Sequence, residues 1–386
     1  MSKSARTLLS ELVSFPVFGG ESNLSIIQHI AAYLDSYGVS YHFVPNPEGT
    51  KASLHCRIGP AVDGGIILSG HTDVVPVEGQ PWDTDPFVLT EKEGKLYARG
   101  SCDMKGFIAC VLANVPAMLA ADLKKPIYFA FSYDEEVGCI AAPELVSHIN
   151  ATYAEKPQFA IIGEPSLMIP TIGQKGICVF KTTVKGSAGH SSRIKEEVSA
   201  ITESARLILW LEQKMDQLIA DGHLDERFDP PHSSIHSGII HGGVAHNIVC
   251  DSCSFAWDVR VIPRDDVFDI LKDFEAYCAE RVAATRHLFP DMAIHTEIYH
   301  PFVPALDTPE HLPIVDLVKK LSGIHEVDAV SYAAEAGQFA EGGFESIICG
   351  PGSIAQAHRA NEFISIEQLD KGVDFIAALV EEFSRD

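Results

Sequence analysis

Residues 66–68 read Ile-Ile-Leu and run straight into Gly70-His-Thr-Asp-Val-Val-Pro76. A run this short and this continuously apolar describes a strand buried on both faces, and such a strand requires a sheet with helices packed on either side. The texture recurs at residues 96–98, 127–131, 159–162 and 346–349. Between these runs lie stretches with helical spacing of apolar residues, at 4–13, 25–37, 107–119, 141–148, 309–321 and 366–383. Strands alternating with helices predict an α/β fold: a mainly parallel sheet covered by helices on both faces.

A second texture interrupts the first. After Gly173 come a strand (177–184), a long amphipathic helix (198–218), strands at 234–241 and 254–262, a helix (265–284) and a strand (293–299). The order β-α-β-β-α-β is that of a ferredoxin-like α+β domain. A chain of 386 residues also exceeds what one hydrophobic core usually serves. The expected organisation is one domain at 1–173 and 290–386, with a second domain inserted at 174–289.

Composition narrows the partners. A formal net charge of −24 argues against nucleic acid and against anionic membrane surfaces. No run of about eighteen apolar residues marks a membrane span, and the N-terminal segment lacks the apolar core of a secretion signal. Nine cysteines without a framework suit a reducing compartment, so a cytoplasmic location is expected. Cys250 and Cys253 are spaced as a metal-binding pair, but positions three apart on a strand face opposite sides.

In open α/β sheets, ligands bind beyond the carboxyl ends of the strands. By that rule His71, Asp73, Asp103, Glu135, Glu136, Glu164 and His358 converge on one crevice. Carboxylates crowded together disfavour one another's ionisation, whereas the four of Asp103, Glu135, Glu136 and Glu164 would balance two divalent ions. Nitrogen and oxygen donors without thiolate fit zinc, with cobalt or manganese as substitutes. The expected centre has Asp103 bridging two ions about 3.5–4 Å apart, each with one histidine and one further carboxylate. Glu135 and Glu136 point apart in extended chain, so one can bind metal while its neighbour stays free as a general base. No Gly-x-Ser-x-Gly occurs anywhere, which disfavours a serine hydrolase.

Gly70-His-Thr-Asp-Val-Val-Pro76, Arg99-Gly-Ser-Cys-Asp-Met-Lys-Gly106, Asp134-Glu-Glu-Val-Gly138 and Gly163-Glu-Pro165 resemble the dizinc metallopeptidase family, whose members include deacylases of N-acyl amino acids. Gly189-His-Ser-Ser192, His246-Asn247, Asp258-Val-Arg260 and Ala357-His358 extend the likeness over nearly the whole chain. The resemblance implies His71 and Glu164 on one zinc ion, Glu136 and His358 on the other, and Asp103 between them. It further implies Asp73 orienting His71, Glu135 as the base, and His190 at the developing oxyanion in the other subunit's site. Arg260 would meet a substrate carboxylate, Asn247 would bind substrate or backbone, and a homodimer would form through the inserted domain. Gly163-Glu-Pro-Ser-Leu-Met168, Gln174-Lys-Gly176, Tyr332-Ala-Ala-Glu-Ala-Gly337 and Gln356-Ala-His-Arg-Ala-Asn-Glu-Phe363 look like the subgroup acting on N-acetyl-ornithine, and Glu335 could answer the ammonium group of such a substrate. Ala333-Ala334 and Asn361 depart from that subgroup, where Gly-Thr and Asp are common. The alternatives are a desuccinylase, an aminoacylase, or a catalytically silent relative.

Overall fold

The computed structural model describes Lys3–Arg385. The chain divides into two compact units, one made of Met1–Gln174, Leu306–Ala329 and Ala334–Asp386, the other of Lys175–Ala305 and Val330–Ala333.

The first unit is built on a mixed sheet in the order β1 (Tyr41–Pro45), β2 (Ala52–Ile58), β6 (Ile127–Ser132), β3 (Gly65–His71), β7 (Pro157–Pro165), β15 (Glu345–Gly350), β8 (Thr171–Gln174) and β13 (Leu306–Asp307), with β14 (Asp328–Val330) also paired to β8. The centre, β6-β3-β7-β15, is parallel throughout, as the sequence implies. The flanks are antiparallel: β1 and β2 on one side, β8 and β13 on the other. Strands of two to four residues such as β8, β13 and β14 carry no readable periodicity, which is why the sequence does not show them. A small second sheet, β4 (Thr90–Lys92), β5 (Lys95–Tyr97) and β16 (Phe363–Ser365), runs β16-β5-β4.

Alternate side chains of the central strands serve opposite faces. Ile66, Leu68, Phe129, Ile161 and Ile347 enter a core shared with α1 (Ala5–Val13), α2 (Leu24–Asp35), α3 (Lys105–Ala113), α4 (Val115–Ala120), α8 (Pro313–Ser322) and α10 (Ile366–Phe383). Helices α5 (Ala142–Thr152) and α9 (Ala336–Glu341) pack together elsewhere on the sheet, α5 against β2 and β6 and α9 against β7 and β15. The single helix expected at 107–119 is two, because Pro116 opens α4 and the Asn114 side chain donates to the carbonyls of Cys110 and Val373. A proline lacks the N–H that a continuous helix needs there.

The second unit is an antiparallel sheet ordered β10 (Ser234–Gly242), β11 (Ser252–Val261), β9 (Gly176–Lys185) and β12 (Ala293–Val303), with α6 (Ala200–Ala220) and α7 (Val267–Thr285) as its two crossovers. That strand order is what a β-α-β-β-α-β chain adopts in a ferredoxin-like fold. Burial alternates strictly along β9 and β11, and the inward set, including Phe180, Phe255 and Trp257, packs with Leu207, Leu211 and Phe274 of the helices. The return expected at 289/290 falls instead at 305/306, since β12 pairs with β9 along most of its length and belongs to this sheet. All nine cysteines are free and buried. Among the described residues no helix is long and apolar enough to cross a membrane.

Candidate active site

Because β6, β3, β7 and β15 are parallel neighbours, their carboxyl ends open on one side, and the candidate residues gather there. His71 is the last residue of β3, Glu164 the last but one of β7; Glu135 and Glu136 follow the end of β6, and His358 lies in the loop beyond β15. Asp103 arrives separately, on the turn between β5 and α3.

His71 sets the geometry. Its Nδ1–H donates to the main-chain carbonyl of Asp73 at 2.9 Å, which leaves Nε2 as the atom facing the cluster. Nε2 lies 3.1 Å from Asp103 Oδ1, 3.7 Å from Glu164 Oε1 and 4.0 Å from Glu135 Oε2. The other oxygen of Asp103 turns toward His358, whose Nε2 stands 3.5 Å from Asp103 Oδ2 and 2.9 Å from Glu136 Oε2. One carboxylate therefore stands between two imidazoles, and each imidazole has a carboxylate of its own. Asp73 orients His71 through its carbonyl: the carboxylate oxygen Oδ1 is 3.7 Å from Nδ1, and the carboxylate instead accepts the amide N–H groups of Glu135 and Glu136 at 3.3 and 3.2 Å. The turn Asp134-Glu-Glu136 is held from behind by Asp134, which accepts from Gly20 N–H and pairs with Lys51.

The donor set fits divalent cations. Glu164 Oε1 is buried without a hydrogen-bond partner, a costly state for a carboxylate oxygen unless a cation meets it. Burial, and then the charge of neighbouring carboxylates, pushes Glu164 and Glu135 well above the ordinary carboxyl range and raises Glu136. Burial opposes protonation of His71, but the hydrogen bond with Asp103 and the nearby carboxylate of Asp73 outweigh it and hold the imidazole well above its usual value. Such a cluster retains protons that metal binding would displace. Donor atoms of His71, Glu135 and Glu164, and of His71, Asp103 and Glu136, each lie within 4.8 Å of one another. Cys102 and Cys139 adjoin the cluster, yet burial pushes both thiols well up, so neither offers a thiolate.

The remaining expected residues are placed as follows. Glu335, read from sequence as a loop carboxylate able to meet a substrate ammonium, is 1% exposed at the start of α9. Its Oε2 is 3.5 Å from Ser69 Oγ, its Oε1 has no partner, and burial raises it to about 7. His190, Asn247 and Arg260 belong to the second unit. His190 is exposed, and its Nδ1 accepts from Ser192 N–H at 3.2 Å, so that the neutral ring carries its proton on Nε2. Asn247 is exposed, and its main-chain carbonyl accepts from Ser191. Arg260 is half-buried, with Nε 3.7 Å from Asp258 Oδ2. Three side chains near the cluster were not singled out from sequence. Glu362 and Arg99 form a fully buried ion pair at 2.8 Å, and Cys139 donates from Sγ to Glu135 Oε1 at 3.3 Å. The one signal for Glu362 is its place four residues beyond His358, directly before β16.

Fold and site together define a metal-dependent amidohydrolase. Residues 67–382 match the model of peptidase family M20/M25/M40, and the chain belongs to that family. The acetylornithine deacetylase of Salmonella arizonae is 34% identical over 367 residues, spanning 94% of this chain and 92% of that protein. The M20 family metallo-carboxypeptidase Sso-CP2 of Sulfolobus solfataricus shares the fold, with a TM-score of 0.75, 17% identity and 99% of both chains covered. The YXEP protein of Bacillus subtilis, described as a dinuclear metal-binding peptidase of the M20 family, aligns with a TM-score of 0.66 and 12% identity over 97% of this chain and 96% of that one.

Proposed function

We propose that this chain is a two-zinc deacylase that cleaves N2-acetyl-L-ornithine to L-ornithine and acetate. The observation that carries the two-ion reading is the position of Asp103, one oxygen toward His71 and the other toward His358. His71 and Glu164 would hold one ion and Glu136 and His358 the other, with Asp103 shared; cobalt or manganese could substitute. Two bound divalent ions supply Lewis acidity toward the acyl oxygen and acidify water. Glu135, whose Oε2 faces the cluster, takes the proton of the attacking water and returns it to the leaving nitrogen. A carboxyl group raised by burial suits both halves of that transfer. The Cys139 thiol, donating to Oε1, steadies the carboxylate while Oε2 exchanges the proton.

The substrate rests on the relative's identity and extent rather than on Glu335. A 1% exposed carboxylate behind Ser69 is poorly placed to receive an ammonium group, and we assign it to the interior. For His190, the Nε2 proton supports donation to a developing oxyanion, in our reading in the partner subunit's site. Arg260 has a planar fork suited to a substrate carboxylate, and Asn247 offers an exposed amide. Homodimer formation through the second unit is supported by its edge strand β10, which exposes Ile239 and Ile240 and leads to Val244, 90% exposed. Bare apolar edge strands are otherwise aggregation-prone. A cytoplasmic location accords with nine free, buried cysteines.

Two measurements test this. Glu135→Gln should still bind two zinc ions per chain while kcat falls roughly 10²- to 10⁴-fold; turnover like that of the unaltered enzyme would remove Glu135 as the base. The zinc-loaded enzyme should prefer N2-acetyl-ornithine over N-succinyl-diaminopimelate and N-acetyl-methionine by about a hundredfold or more in kcat/KM, roughly 2.7 kcal/mol. Comparable rates would point to a broader N-acyl amino acid deacylase.

A further inference from the structure

Of the five candidate ligands two sit on strands, and three, Asp103, Glu136 and His358, sit on loops. His71 and Glu164 are held in the β3 and β7 ladders at the heart of the sheet. Asp103 and His358 have no such support, and His358 adopts a left-handed backbone (φ 62°) with its side chain 56% exposed. Something else must fix their separation.

The buried carboxylate of Glu362 meets that need. Its Oε1 accepts the amide N–H groups of Cys102 and Asp103 at 2.9 and 3.0 Å. Its Oε2 accepts Gly100 N–H at 3.1 Å and Arg99 Nη1 at 2.8 Å. A carboxylate has about four acceptor positions, and all are filled. Three of the four donors are main-chain amides of the turn that ends in Asp103, so a residue four positions beyond His358 holds that turn by its backbone. Arg99 closes the link from the opposite direction: Nη1 also donates to the carbonyl of Arg359 at 3.3 Å, and Nη2 to Gln80 Oε1 at 2.5 Å. Gln80 in turn donates to the carbonyl of His358 at 3.1 Å. Asp83 N–H to Asn361 Oδ1, at 2.9 Å, ties the same two segments once more.

We propose that Glu362 is a positioning residue that registers the Asp103 turn against the His358 loop, and that the ion held by Glu136, His358 and Asp103, all three on loops, depends on it more than the ion held by His71, Glu164 and the shared Asp103, which keeps two strand-borne ligands. The inference rests on the two-ion reading above. The strand-borne pair keeps its place when the clamp is lost; the loop-borne pair does not. Glutamine at 362 retains one carbonyl oxygen, but its NH2 group then confronts the N–H donors of Gly100 and Arg99.

The test is zinc titration of the metal-free unaltered protein, His358→Ala, Glu362→Gln and Glu362→Ala by calorimetry with chelator competition, with cobalt absorption spectra of the singly loaded forms. The unaltered protein should take up two ions; if it does not, the two-ion reading itself fails, whatever the variants do. His358→Ala identifies the step belonging to the loop-borne ion. Glu362→Gln should weaken that same step by roughly 10- to 100-fold, and the other, which shares only Asp103 with it, by markedly less. Its singly loaded cobalt spectrum should match that of the singly loaded His358→Ala protein. Glu362→Ala should lose the loop-borne ion at micromolar zinc. Equal weakening of both steps in Glu362→Gln, or no change in either, would overturn the proposal. Metal-free Glu362→Gln should melt below the unaltered protein, because the buried Arg99 loses its counter-charge, but it should still fold and bind the strand-borne ion; loss of both ions would count against the proposal.

Discussion

Gly163 allows a sharp test of how the fold spaces its candidate ligands. It immediately precedes Glu164, and a Cβ built on it would fall on the ring of Phe107, well inside the 3.0 Å that real Cβ atoms essentially never show. Phe107 is 1% exposed and stands in the first turn of α3, four residues after Asp103. The bare glycine is thus the contact by which α3 seats on β7 and by which Asp103 and Glu164 acquire their separation. In Gly163→Ala the ring must yield by more than an ångström within a filled core. Overpacking of this kind costs about 1–3 kcal/mol, and the upper end is expected because the other partner is the main chain of a central strand. Phe107→Ala alone should cost about 3–5 kcal/mol through the cavity it leaves. In the double variant the new methyl group enters that cavity, so the total should fall short of the sum by about 2 kcal/mol. Hydrogen exchange of the β7 amides reads the opening free energy of this unit directly. Additivity of the two substitutions within about 0.5 kcal/mol would refute the packing argument.

Further outcomes follow from the electrostatics. Burial raises Glu135, Glu136 and Glu164, and the hydrogen bond with Asp103 helps to raise His71, so zinc must displace protons to enter. Calorimetry in buffers of differing ionisation enthalpy should show net proton release, with apparent affinity weakening as pH falls; affinity independent of pH between 6 and 8 would contradict the picture. Glu335 is raised by burial from 4.5 to about 7, so its neutral form favours folding: that stability is fully present below pH 4.5 and is lost as pH rises through about 7. The loss amounts to about 3 kcal/mol at most. In the metal-free protein, Glu335→Gln should therefore gain stability over the unaltered chain between pH 5 and 8, and parallel pH profiles in urea denaturation would disprove the assignment.

Much of the centre was legible because its signals are local. His71 and Glu164 lie at the ends of continuous apolar runs, and those runs are the parallel strands β3 and β7. Other features had no local signal. The antiparallel flanks are made partly of strands two to four residues long. The break between α3 and α4 turns on Pro116 inside an otherwise helical pattern. The second unit's true end follows from the pairing of β12 with β9, a contact across more than a hundred residues of chain. Asp73 shows the limit at atomic scale: its spacing from His71 suggests an orienting carboxylate, but the contact is made by the main-chain carbonyl while the carboxylate serves the next turn.

The chemistry of the donor set was written in the sequence, since two imidazoles, four carboxylates and no thiolate among them are properties of residue type and order. The alternation of strand and helix was written there too, because each element is specified by the periodicity of its own residues. Only the tertiary structure decided what each carboxylate does. Glu335 and Glu362 are the same side chain, both 1% exposed. Burial raises both, but one leaves an oxygen without a partner while the other is met by four donors and clamps a turn. Burial and hydrogen-bond partners, which are set by segments up to 266 residues apart, separate the two roles.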